Sequence, residues 1–106
     1  MESTKSEGGA ARLEAGVRDI LVRVLMVEEA DLRPEAELVA DLGAESIDFV
    51  DLLFQLEDLI GRRVTPEDWQ DWITERLPDP SRGQGITVAV IQEFARYFVA
   101  QGAAEQ

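Results

Sequence analysis

The stretch Asp41-Leu42-Gly43-Ala44-Glu45-Ser46-Ile47-Asp48-Phe49-Val50-Asp51-Leu52 decides how this chain is read. A glycine-containing turn leads straight into a helical pattern, and a serine stands at the junction with acids on both sides. Serine is favoured at a helix N-cap because its hydroxyl accepts a bond from a first-turn amide. Asp48 falls in the first turn, where the helix dipole favours a carboxylate. The spacing predicts a helix from about Ser46 to Ile60, with Ile47, Val50, Leu53, Phe54, Leu56 and Ile60 as one broad apolar side. Gly61 is placed to stop it, and Arg62-Arg63 favours that end electrostatically. Taken alone, Ser46 has a plain explanation as a cap, yet no other segment sets a nucleophile in so defined a place.

Before this stretch, residues 1–10 read as a flexible tail. A first helix is predicted over Ala11–Met26, because Leu13, Val17, Ile20, Leu21, Val24 and Leu25 recur at helical spacing. The connection from Val27 to Glu45 is long, and Pro34 breaks any helix through it. Leu32, Leu38, Val39 and Leu42 are its expected apolar pins, with a short helical turn around Pro34–Leu38. Connections longer than about 12–15 residues in compact domains are usually functional.

After it, Thr65-Pro66-Glu67-Asp68 opens a third helix, with Thr65 as N-cap and Pro66 at the first helical position. Trp69, Trp72, Ile73 and Leu77 form its stripe and are expected to pack, as aromatic stripes do. Pro78 to Gly85 is a loop by every turn signal. Thr87 caps a fourth helix running to about Ala100, with Val88, Ile91, Phe94, Ala95 and Phe98 inward, and residues 103–106 fray. Neither strand alternation nor an internal repeat appears. The expected fold is all-α: a four-helix bundle over residues 11–102 with a long helix 1–helix 2 connection and an extended helix 3 region.

Composition narrows the function. A chain of 106 residues fits one domain, and 45% hydrophobic content suits one modest core. Twenty-two acids against 10 bases give a net charge of −12, and Glu28 to Asp58 holds eleven acids against Arg33 alone. Such a field repels nucleic acid and anionic lipid and attracts basic protein patches. The chain has no Cys and no His. Disulfides, thiolate metal sites and the usual general base near neutral pH are therefore excluded. A serine hydrolase at Ser46 would lack its base, a di-iron bundle its Glu-x-x-His pairs, and a calcium loop its ligand spacing. No metal site is expected. The first ten residues carry no signal-peptide core, and the apolar run Ile20–Val27 is interrupted by Arg23 and too short for a bilayer. A cytoplasmic, monomeric protein without membrane insertion is the expectation.

The Leu42-Gly43-x-x-Ser46 turn, the acidic helix ending Leu56-Glu57-Asp58-Leu59-Ile60-Gly61 and the Ile86-Thr87-Val88 opening of the last helix resemble acyl carrier proteins of the phosphopantetheine-binding family. The resemblance runs from about Leu13 to Val99. Glu45 and Ile47 stand where the family usually has Asp and Leu, keeping charge and apolarity. The Trp69–Gly85 segment is longer than in compact fatty-acid carriers and looks like that of specialised, long-loop carriers. The resemblance implies a carrier, not an enzyme, with 4′-phosphopantetheine on Ser46 holding an acyl group as a thioester for fatty-acid, lipid or polyketide enzymes. It implies docking of a phosphopantetheinyl transferase and of acyl-transferring or acyl-ligating enzymes, through basic patches, on Asp41, Glu45, Asp48, Phe49, Asp51, Glu57 and Asp58. It also implies an acyl-chain cavity lined by Ile47, Val50, Phe54, Leu56 and Ile73. Two other readings stand beside it: a peptidyl carrier for an activated amino acid, and an acidic helical adaptor without a prosthetic group.

Overall fold

A computed structural model describes residues 2–77 and 85–105, with side chains over 11–77 and 85–101. Among them are four helices: α1 (Glu2–Leu25), α2 (Ser46–Ile60), α3 (Pro66–Arg76) and α4 (Val88–Glu105), with a 3-10 turn at Glu29–Asp31. The all-α expectation holds, and α2 begins and ends at the expected residues. None of these helices is long and apolar enough to cross a membrane.

Two ends differ from expectation. Helix α1 starts at Glu2, across the segment expected as a tail. Nothing there forbids a helix: there is no proline, and Gly8 and Gly9 cost only about 1 kcal/mol each against alanine. Likewise α4 continues past Ala100 to Glu105, where fraying was expected. The loop expected over Pro78–Gly85 lies outside the described residues except for Gly85.

Each helix turns its apolar stripe inward. Val17, Ile20 and Leu21 come from α1, Leu52, Leu53 and Leu56 from α2, Trp69, Trp72 and Ile73 from α3, and Val88, Ile91, Phe94, Ala95 and Phe98 from α4. Met26 ends α1 in the left-handed region (φ 57°), a conformation that costs most non-glycine residues about 1–2 kcal/mol.

The long connection is pinned rather than loose. Arg18 donates to the Glu29 carboxylate (3.1 Å) and to the Leu32 carbonyl (3.1 Å). Leu38 N–H donates to the Ile86 carbonyl (2.9 Å) and Val88 N–H to the Ala36 carbonyl (3.0 Å), tying the connection to the start of α4. Leu32 and Leu38 are buried as expected, and Leu42 is half-buried. Val39 points out, while Ala36 and Ala44, too small to stand out in the pattern, are the further buried pins. The helical turn expected around Pro34–Leu38 does not form; the 3-10 turn falls earlier, where the Asp31 carboxylate accepts the Glu28 N–H (3.1 Å).

Candidate functional site

The chain is steered into α2 by a tight reversal. Asp41 and Leu42 N–H groups donate to the Glu37 carbonyl (2.9 and 3.1 Å), and the Asp41 carboxylate accepts the Glu37 N–H (2.8 Å). Gly43 sits at φ 75°, where a side chain would be strained. Ala44 then buries its methyl and donates its N–H to the Leu38 carbonyl (2.8 Å). The direction in which the next residues emerge is thereby set.

Ser46 is not the N-cap. Glu45 takes that position in extended conformation, and Ser46 is the first residue of the helix, exposed. The reason lies in Asp48, whose carboxylate reaches back to the Glu45 N–H at 2.8 Å. That bond closes the helix end from the other side, so the serine hydroxyl has no structural duty there. The N–H groups of Asp48 and Phe49 donate to the Glu45 carbonyl (2.9 and 3.4 Å). The N–H groups of Ser46 and Ile47 have no helical carbonyl three or four residues before them and stand at the helix end as donors.

The seven residues expected to meet partners divide by their bonds. Glu45, Asp51 and Asp58 are exposed. Asp41 and Asp48 are spent in part on the main-chain bonds just given. The Glu57 carboxylate accepts the Val64 N–H (2.9 Å), holding the α2–α3 link against α2. The acids read as one field in the sequence; a three- or four-residue reach back to an N–H sets Asp41 and Asp48 apart, whereas the bond of Glu57 to Val64, seven residues on, has no such local signal. Phe49 is half-buried and stacks on Trp69 (6.3 Å between centroids, 29° between planes).

The five residues expected to line one interior cavity do not share one. Leu56 and Ile73 are fully buried core residues, whereas Ile47, Val50 and Phe54 are exposed by 71, 49 and 66%. The expected broad apolar side is two faces: Leu52, Leu53 and Leu56 turn inward, and Ile47, Val50 and Phe54 turn outward. Both faces are apolar, so periodicity alone could not say which one the core would take. Val50 and Phe54 line a surface groove of about 610 Å³ with Leu53, Glu57 and the link residues Arg63 and Val64. Leu53, Arg63 and Val64 were not among the expected site residues; the spacing of Leu53 from Ser46 along one helix face was their only sequence signal.

Trp69 and Trp72 pack as expected. Trp69 meets Phe94 edge-on (5.0 Å) and stacks with Trp72 (6.1 Å), and Arg76 lies over the Trp72 ring (4.3 Å). Through Phe49 this cluster supports the first turn of α2, one turn beyond Ser46.

The first turn of α2 and the helices around it coincide with a known family. The family model described as phosphopantetheine attachment site matches residues 15–74, more than half of the chain. That match takes in the second half of α1 from residue 15, the pinned connection, all of α2 and most of α3. The chain belongs to this family of carrier proteins, which bear 4′-phosphopantetheine covalently, meet phosphopantetheinyl transferases and acyl-handling enzymes, and have no catalytic activity of their own.

Proposed function

We propose that Ser46 is the attachment residue and that the cargo is an acyl group held as a thioester. The observation that carries this is the exposed Ser46 hydroxyl at the first position of α2, freed from capping by Glu45 and Asp48. The residues present fit the group. A phosphodiester on Ser46 would lie beside the Ser46 and Ile47 amide donors, and helix N-termini favour anions there. The prosthetic group supplies a terminal thiol, which this cysteine-free chain lacks.

In this reading the chain's own residues bind and orient. Gly43 and Ala44 aim the serine outward. Phe49, held by Trp69, keeps the first turn rigid. Glu45, Asp51 and Asp58 stay open for basic patches of the transferase and of acyl-transferring or acyl-ligating enzymes, and the one-sided charge of −12 speeds such encounters. Asp41, Asp48 and Glu57 add to the field while holding the backbone. The same acidity favours acyl-handling partners of fatty-acid, lipid or polyketide type over aminoacyl-loading ones. The carrier works as a cytoplasmic monomer in this reading.

Intact mass spectrometry after incubation with coenzyme A, magnesium and a broad-specificity transferase tests it. The wild type should gain one phosphopantetheine and Ser46→Ala none. A gain that persists in Ser46→Ala overturns the assignment. Charging of the loaded protein by an aminoacyl-adenylating enzyme, but by no acyl ligase, would favour the peptidyl reading.

A further inference from the structure

A second groove, of about 390 Å³, lies between α3 and α4, and none of its lining residues belongs to α2. The volume falls within the range of roughly 300–1,000 Å³ common for binding sites. Asp68, Trp72 and Glu75 recur at i, i+4 and i+7 on α3, with Asp71 and Arg76 beside them, so one helix face makes one wall. The other wall is Tyr97 and Phe98 of α4. Trp72 is buried and Tyr97 is 41% exposed, with their ring centroids 6.3 Å apart. Phe98, itself buried, meets Tyr97 edge-on at 5.3 Å. The core therefore holds the aromatic lining in place, and one ring of it is open to solvent.

The charges around these rings do not balance. Three carboxylates, Asp68, Asp71 and Glu75, face one guanidinium, Arg76. Asp68 accepts the Thr65 N–H (3.0 Å). Asp71 and Glu75 are exposed and make no hydrogen bond or ion pair among the described residues. They stand at i and i+4, where like charges destabilise a helix. Arg76 lies over the Trp72 ring (4.3 Å) with Glu93 at 4.0 Å, so a guanidinium on an aromatic face beside a carboxylate already exists here within the chain. Trp72 also keeps its indole Nε1–H buried without an acceptor. Among the described residues no three acids converge closely enough to hold a metal ion. The groove thus calls for a flat, extended cation rather than a point charge.

We infer that this groove receives an arginine side chain of a partner protein. Its guanidinium stacks on the open Tyr97 ring and pairs with Asp71 and Glu75, relieving their mutual repulsion. The arginine's main chain brings carbonyl acceptors to a groove whose indole N–H lacks one. Arginine is favoured over lysine because a planar guanidinium both stacks on aromatic rings and forks onto carboxylates. The site shares no residue with the acids of α2 assigned above to partner docking, and it does not depend on attachment at Ser46.

The test titrates the full chain, at one fixed ionic strength, with the doubly blocked dipeptides acetyl-Arg-Arg-amide and acetyl-Lys-Lys-amide. Chemical shifts of the two tryptophan indole N–H groups and of the backbone amides are followed. The arginine peptide should move the Trp72 indole resonance and the amides around Asp71 and Tyr97. It should bind roughly threefold more tightly than the lysine peptide. Asp71→Asn/Glu75→Gln should weaken the arginine peptide roughly fivefold, and Tyr97→Ser roughly threefold. Asp51→Asn/Asp58→Asn on α2 changes the net charge of −12 by the same two units and should alter this affinity less than twofold. The substituted acids make no bond within the described residues, so their loss leaves the fold in place. Equal weakening by the two double variants would mean that only the overall field attracts the peptide, and would overturn the proposal. So would equal binding of the two peptides, or a Trp72 indole resonance that stays unmoved at saturation.

Discussion

The two faces of α2 are made from the same kinds of residue and have opposite fates. Leu52, Leu53 and Leu56 are buried in the core, while Ile47, Val50 and Phe54 remain open to solvent. Scattered exposed apolar residues are ordinary, but three at i, i+3 and i+7 on one helix, flanked by Asp51 and Asp58, make a continuous strip. The comparison teaches that apolarity in this helix has two uses. On the inner face it stabilises the fold; on the outer face it stays open to solvent beside exposed acids, as a surface the proposed carrier role can use.

The largest expected effect separates the faces directly. Leu56→Ala should lose about 2–5 kcal/mol in urea unfolding, because a fully buried leucine leaves a cavity. Phe54→Ala removes more atoms yet should stay within about 0.5 kcal/mol, as surface changes do. Similar losses in the two would break the distinction between faces.

The acids sharpen it next. Glu57→Ala strips the Val64 N–H of its acceptor and should cost about 1–2 kcal/mol. Asp58→Ala, its exposed neighbour, should leave the melting temperature unchanged and instead slow loading by the transferase. A stable Glu57→Ala protein would return that acid to the recognition surface alone.

A smaller comparison concerns the two caps. Thr65→Ala should cost about 1 kcal/mol, since the Thr65 hydroxyl accepts the Asp68 N–H at 3.1 Å. Ser46→Ala, at the equivalent boundary of α2, should cost less than about 0.5 kcal/mol, because Glu45 and not Ser46 is the cap. A cap-sized loss on Ser46→Ala would mean that the hydroxyl serves the helix after all. At the level of the whole chain, the charge of −12 should make the melting temperature rise with salt or magnesium as self-repulsion is screened.

Much of the fold is legible because local rules agree with one another. Thr65-Pro66 opens α3, Thr87 caps α4 through the Val90 N–H (3.2 Å), and Gly61 closes α2 at φ 84°. Each uses a residue whose chemistry has few alternatives. The failures share a different cause. Serine is a good cap, which suggests that role for Ser46, but the bond from the Glu45 N–H to the Asp48 carboxylate fixes the helix boundary one residue earlier. Val39 was read as a pin and Ala44 was not, because side-chain size is a poor guide where backbone bonds decide which way a turn faces.

By itself the sequence determined the helical class, the bounds of α2, the absence of any protein thiol or imidazole, and the acidic field around one serine. These follow from spacing, breakers and composition, which are properties of the chain alone. Only the tertiary structure decided which apolar face of α2 the core would take, which acids are spent on backbone N–H groups, and that a groove lies between α2 and the Gly61–Pro66 link. Those depend on contacts between segments far apart in the chain. One hydrogen bond, Val64 to Glu57, sets a wall of that groove, and no periodicity records it.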